Sequence, residues 1–330
     1  VKPRAPQAAG AALAAALLVV AFLLPGGARR WLAPLAVIAL GAGLVYALGG
    51  GRSVLRIGNA MMRRNWLTMV SYRMQIVAFA VYVALGLALI WLVGKPVLDA
   101  LVGPAQLLHG AGLPPDAALL LIVGVVSWPL FWRSCEVTAN GVRQEQWSGT
   151  FESIVPTPDG VRALPFCYLY SNVGVSILSQ AAILVLLGFA LPAGSLHLVD
   201  PALALNFLAV TFVCMLCMWG LGLLFGGLAV LYKQLGPADA VVKLLFIALA
   251  GIFVPLQLLP GWMQAASRAI PVTYALDLLR GIAVDGRGIA DQPVAFAILV
   301  GFTVATVVAG NLAYRALVDR ARRQGAIQGY

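Results

Sequence analysis

The chain has 330 residues, of which 62% are hydrophobic and only 10% charged, with a formal net charge of +10. An ordinary soluble domain carries about 25% charged residues, and a disordered chain needs more charge and less apolar content, so both classes are excluded. The solvent is a bilayer. At about 20 residues per helical crossing, the length allows at most roughly eight spans and no large extramembrane domain.

In chain order, charge-free apolar runs occupy residues 8–24, 31–48, 74–93, 117–132, 163–191, 202–232, 244–267 and 292–314. Each is long enough, or nearly so, to cross the hydrocarbon as a helix, and none shows the alternation of a barrel strand. The fold expected is all-α, a polytopic transmembrane helical bundle. Residues 1–51 form an N-terminal transmembrane hairpin and residues 52–330 a six-span core. A cleaved signal peptide is the rival reading of residues 8–24. Against it, Pro25-Gly26-Gly27-Ala28-Arg29 makes a poor cleavage site and a second apolar run follows at once.

The cations orient the spans. With an internal amino terminus, Lys2, Arg4, Arg52, Arg56, Arg63, Arg64, Arg73, Arg133, Arg143, Arg162, Lys233, Lys243, Arg315, Arg320, Arg322 and Arg323 fall on one side. Only Arg29, Arg30, Lys95, Arg268, Arg280 and Arg287 fall on the other. The larger set marks the cytoplasmic side, which gives a multi-pass protein of the plasma (cytoplasmic, inner) membrane with both termini cytoplasmic. Division of the basic residues among separate loops argues against nucleic acid as a partner.

Several chemistries lack their residues. No acid lies between Asp159 and Asp200, between Asp200 and Asp239, or between Asp239 and Asp277, so the later spans carry no coupling carboxylate. Lys243 lies about one turn into a span and can snorkel to the inner surface. His109 and His197 sit in separate loops, and no G-x-x-x-x-G-K-[ST] loop exists, since Gly94-Lys95 is followed by Pro96 and Leu89 occupies the upstream glycine position. Cys135, Cys167, Cys214 and Cys217 lie in or beside apolar runs and read as small buried hydrophobes. Catalytic residues, metal ligands and cofactor sites are therefore not expected. Uphill transport would draw its energy from another polypeptide.

Three features stand out from the apolar background. A basic amphipathic segment precedes residue 74, with Arg63, Arg64 and Trp66 among Met61, Met62, Leu67 and Met69, suited to the cytoplasmic leaflet. The span from residue 117 continues as a helix into a polar loop and breaks at Ser148-Gly149. Gly149 then serves as N-cap of a short helix over about residues 149–156, with Glu152 near its positive end and Pro156 and Pro158 as its stop. That helix presents Phe151 and Ile154 either to a groove on a partner or to lipid headgroups. The third feature is an outer re-entrant region over about residues 260–281. Pro260, Gly261, Pro271 and Gly281 divide it into helices at 262–269 and 272–280, with Trp262 and Tyr274 at headgroup level and Asp277 poised to pair with Arg280.

These features, in this order, resemble the permease subunit of ABC transporters of the type-2 exporter family, which includes drug and polysaccharide exporters. The match rests on Arg63-Arg64-Asn65-Trp66, on Glu145 with Gly149-Thr150-Phe151-Glu152, and on Gly251-Ile252-Phe253-Val254-Pro255 continuing through Pro260-Gly261-Trp262 to Pro271-Val272-Thr273-Tyr274-Ala275-Leu276-Asp277-Leu278-Leu279-Arg280-Gly281. It covers about residues 52–318; residues 1–51 are a departure, since the usual member starts near the interface helix. The resemblance implies a half-transporter that pairs with a second permease copy or homologue and docks a separate ABC ATPase subunit, which binds the ATP and Mg. It places Glu145, Gly149, Thr150, Phe151 and Glu152 in the coupling helix region, and Arg63, Arg64 and Trp66 in the interface helix. Pro260, Trp262, Pro271, Tyr274 and Asp277 fall in the outer re-entrant region.

The function expected is ATP-driven export of a hydrophobic or amphipathic drug or natural product. Lipid-linked glycan or polysaccharide export is one alternative, and an ATP-independent lipid or small-molecule facilitator another. Phe79, Tyr82, Trp91, Trp128, Phe131, Phe166, Tyr168 and Tyr170, with Asn172, Ser176 and Gln180, offer faces for such a cargo, although aromatic residues in spans also serve packing.

Overall fold

The central helix is apolar on every side, and a helix of that kind is stable only when surrounded. It spans Pro201–Tyr232 and is buried along most of its length. The structure, a computed structural model, describes residues 26–49, 52–71, 74, 117–154, 160–190, 197–232, 236–252 and 260–324. The run 8–24 and, after residue 74, the run 74–93 with Phe79, Tyr82 and Trp91 therefore lie outside the described residues, as do His109, Pro156, Pro158 and Pro255.

In chain order the helices are α1 (Gly26–Gly49), α2 (Arg52–Ser71), α3 (Ala117–Trp147), α4 (Phe151–Ile154), α5 (Gly160–Ala190), α6 (Pro201–Tyr232), α7 (Gly236–Leu249), α8 (Gly261–Ser267), α9 (Pro271–Ala283) and α10 (Pro293–Arg323). Short 3-10 turns at His197–Val199 and Ile289–Asp291 precede α6 and α10, and no strand occurs among the described residues. The all-helical bundle expected from the apolar runs is present. Among the described helices, α6 and α10 are long and apolar enough to cross a membrane by length and composition.

α6 packs chiefly against α10 and α3, then against α1 and α9, while α5 bridges α3 to α2. The closeness of these contacts comes from glycine. A Cβ on Gly222 would lie 2.1 Å from the Cys135 carbonyl oxygen of α3, and one on Gly310 of α10 would lie 2.0 Å from that of Gly220. Small residues of this kind let helix backbones approach where the solvent supplies no hydrophobic drive between helices. Around them Phe166 stacks edge-on against Trp219 with centroids 5.1 Å apart, and Trp128 lies 5.5 Å from Trp132. Cys214 and Cys217 are fully buried in this core, in keeping with their reading as small hydrophobes.

The helices run alternately. The end of the bundle holding Trp147, the start of α5 and the ends of α6 and α10 is called here the loop end. The far end holds the starts of α3, α6 and α10 together with α8 and α9.

The run 244–267 is not one continuous helix. α7 stops at Leu249, Gly251 takes φ +72°, and the next described helix begins at Gly261. A left-handed glycine at this point terminates the helix. α1 also starts before its apolar run, so that Arg29 and Arg30 lie within its first turns rather than in a connecting loop.

Candidate functional site

The loop end of α3 closes with a Schellman motif. Gly149, at φ +70°, donates its N–H to Gln146 O at 3.2 Å, and Thr150 donates its own to Glu145 O at 3.1 Å. Gly149 is therefore the terminator of α3 and not the N-cap of the next helix, because its positive φ serves the end of one helix rather than the start of another. The short helix α4 begins at Phe151, with Thr150 O accepting from Ser153 N–H at 3.2 Å and Ile154 N–H at 3.3 Å.

The side chains of this turn converge on one carboxylate. Glu145 is almost fully buried. It accepts from Tyr168 Oη of α5 at 2.6 Å, from Arg64 Nη2 of α2 at 2.9 Å, and from Thr150 Oγ1. Four segments of chain thus meet at a single charge. Glu145 lies beyond the apolar stretch of α3. Burial alone would push its carboxyl up, but the hydrogen bonds from Thr150, Tyr168 and Arg64, with the charge of Arg64, hold it below the ordinary carboxylate range.

Phe151 does not project outward. Its ring is buried in a cluster with Met61, Val142, Val161, Leu164, Tyr314 and Val318. The expectation that Phe151 is presented to a partner's groove or to lipid headgroups is corrected by the start of α5 and the end of α10. These run on past their apolar stretches and supply a surface, fastened where Tyr314 Oη donates to Val161 O at 2.7 Å. Ile154 is only half-buried, and Ser148, Gly149, Thr150 and Ser153 are exposed. The exposed apolar side chain at the turn is Trp147, at 84%. The described part of the short helix ends at Ile154, and the Glu152 side chain lies outside what the structure describes.

α2 is a single helix whose Gly58 and Met61 face the bundle while Ile57, Met62, Arg63 and Leu67 are exposed. Tyr170 of α5 fastens it by donating to Asn59 Oδ1 at 2.9 Å. Arg64 is half-exposed along its length yet delivers its guanidinium to Glu145. The Trp66 side chain lies outside what the structure describes.

At the far end Pro260 precedes α8 and Pro271 opens α9 as its first residue, the position where a missing N–H costs nothing. Trp262 is exposed at 69%, and Tyr274 donates to Arg268 O at 2.9 Å while its ring lies 5.9 Å from that of Phe302. Asp277 is exposed and its charge acts on Arg280, but no hydrogen bond or close ion pair joins the two among the described residues. The guanidinium turns inward instead and donates to two backbone carbonyls, because α9 buries that face against α3 and the chain after α7.

The order of these parts is that of a known membrane family, and comparison decides it. The model of a family described as ABC-2 type transporter matches residues 58–284, well over half of the chain. This chain belongs to the ABC-2 type transporter family. No curated protein matches it. The matched interval of this ABC-2 chain starts within α2 and ends just after α9, so it contains both the Glu145 knot and the α8–α9 pair. It leaves α1 outside.

One contributor to the ABC-2 site escapes sequence reasoning. Tyr168 reads there as one more aromatic in an apolar face, and only the fold shows its hydroxyl on Glu145. Of the other aromatics offered as cargo contacts, Trp128, Phe131 and Phe166 are buried in the core, which is the packing alternative. Lys243, expected to snorkel, extends along α3, where its Nζ lies 3.8 Å from Glu136 and 5.6 Å from the Trp132 ring.

Proposed function

We propose that this ABC-2 chain is the transmembrane permease of an ATP-driven exporter, paired with a second permease and powered by a separate ABC ATPase that holds the ATP and Mg. The cargo is a hydrophobic or amphipathic drug or natural product, taken from the cytoplasm or inner leaflet. The observation that carries this reading is the Glu145 knot. It fixes a short helix beyond the end of a long one, buries Phe151 as the anchor, and leaves Trp147 and the Ser148–Thr150 turn facing outward. A mechanical input needs a rigid handle, because a floppy loop would absorb the displacement instead of passing it to α2, α3 and α5.

In this reading the loop end faces the cytosol, α2 lies along the inner leaflet with Arg63 toward headgroups and Arg64 turned to Glu145, and α8 and α9 sit at the outer surface. The chain binds and moves; its partner hydrolyses. The test is co-purification of the tagged chain with an ABC ATPase from native membranes, repeated with Trp147→Ala and Glu152→Lys. The expected result is loss of the ATPase and of export with membrane insertion unchanged. ATPase capture unaffected by both substitutions would refute the docking assignment. Cargo flux through the purified chain alone in liposomes would favour the facilitator.

A further inference from the structure

α7 is the least embedded of the long helices. Val241, Leu244 and Leu245 are 60%, 67% and 52% exposed, and full burial begins only after it, at Ala250, Gly251 and Ile252. Midway along it Phe246 and Lys243 pack on the Trp132 ring of α3, with centroids 6.2 Å apart and Nζ 5.6 Å from the centroid, and Asp239 reaches Glu136. The polar attachments on either side differ in kind. Toward the loop end, Lys243 and Glu136 are partly exposed at 42% and 27% and stand 3.8 Å apart, a separation at which a solvated pair contributes little.

The far-end attachment is buried. The last carbonyls of a helix lack intrahelical partners and must find donors elsewhere. Ser267 of α8 donates its hydroxyl to Leu249 O. Arg280 of α9, only 7% exposed, donates Nη2 to Gly251 O at 2.7 Å and Nε to Leu120 O, in the first turn of α3, at 2.9 Å. A cation beside the negative end of α7 is also favoured by the helix dipole. Gly124 completes the fit, since a Cβ there would lie 2.7 Å from Ile252 O and 3.0 Å from Arg280 Nη2. The planar fork of arginine spans two acceptors at once, which an ammonium group cannot do in the same geometry.

We propose that Arg280 is a positioning residue that bolts the far ends of α3, α7 and α9 into one rigid unit, so that α7 pivots there and opens at its Lys243–Glu136 end. The inference deepens the permease reading, since it says which end of the helix pair gives way during transport. Its mechanical content can be measured on the chain alone, without an ATPase, so failure of the bolt and failure of the permease reading are separable.

The experiment places spin labels on the full chain in phosphatidylethanolamine–phosphatidylglycerol nanodiscs, at exposed positions with the four buried native cysteines left in place. One pair, Ala248→Cys with Ala269→Cys, reports the far end; a second, Asn140→Cys with Ala240→Cys, reports the loop end. The expected result is a narrow single distance at the far end and a distribution at least twice as wide at the loop end. Arg280→Gln should widen the far-end distribution to match the other pair. If that variant does not fold, Arg280→Lys serves, since it keeps the charge but loses the fork, and it should widen the far-end pair alone. A far-end distance unmoved by Arg280→Lys in folded protein, or equal widths at the two ends of the unsubstituted chain, would overturn the proposal.

Discussion

Removal of the Glu145 carboxylate is the most exacting perturbation of the site, and its cost follows from three contacts. The Tyr168 bond, 2.6 Å long and buried at both ends, joins a hydroxyl to a charge, a class that contributes ~1.5–3 kcal/mol. The Arg64 contact has a side chain 46% exposed and is discounted for solvent to ~0.5 kcal/mol. The Thr150 hydroxyl, on an exposed residue, adds ~0.5–1.5 kcal/mol. Glu145→Ala is therefore expected to lose about 3–5 kcal/mol, including the penalty of stranding the Tyr168 hydroxyl. Glu145→Gln keeps one acceptor oxygen and should lose about half of that. The assay is an SDS titration of the purified chain, run as a double-mutant cycle with Tyr168→Phe. A coupling energy of about 1–2 kcal/mol is expected for residues in direct contact. Additive losses with no coupling would refute the knot, since the two side chains would then act independently.

The same carboxylate sets a pH dependence: its folded pKa lies below the unfolded value of about 4.3, so its contribution is present above that pH and disappears as pH falls through the folded value. Stability contributed by the knot should be flat from pH 7 to 5 and fall below about pH 4, with the fall missing in Glu145→Gln. Gly149→Ala places a Cβ at φ +70° and should cost about 1 kcal/mol in the same titration, with Gly149→Asn milder. Phe151→Ala empties a fully buried ring site and should lose ~3–5 kcal/mol, where an outward-facing peg would lose almost nothing. Gly222→Val should abolish accumulation of folded protein on size exclusion, because its Cβ would meet the Cys135 carbonyl at 2.1 Å, whereas Gly301→Ala, with nothing within 4 Å, should be neutral or gain up to ~1 kcal/mol.

The helices were legible because hydrocarbon imposes length and apolarity, and breakers mark their ends. The break at Ser148-Gly149 and the division of the outer region at Pro271 both lie where the residues put them. Glu145 and Arg64 were each visible, but in separate features 81 residues apart, and no local spacing announces that they touch. Gly149 misled because glycine suits both the start and the end of a helix, and only φ decides between them. Phe151 misled because the surface that covers it comes from distant parts of the chain. Asp277 and Arg280 have helical pairing distance, yet the arginine's carbonyl partners belong to other elements, and backbone oxygens leave no trace in a sequence. The spacing Gly222-x-x-x-Gly226 was readable as a close-packing signal, hidden by the uniform apolarity around it.

The glycine contacts of α6 restrict which motions the bundle can undergo. Two backbones separated by less than the width of a methyl group cannot ratchet past each other, since a shift of register would drive a leucine or phenylalanine into space sized for a hydrogen atom. α3, α6 and α10 must travel together as a keel. Among the described elements, α2 and α4 are knotted to α3 through Glu145 and go with the keel, so strokes of a few ångströms are to be sought in α7.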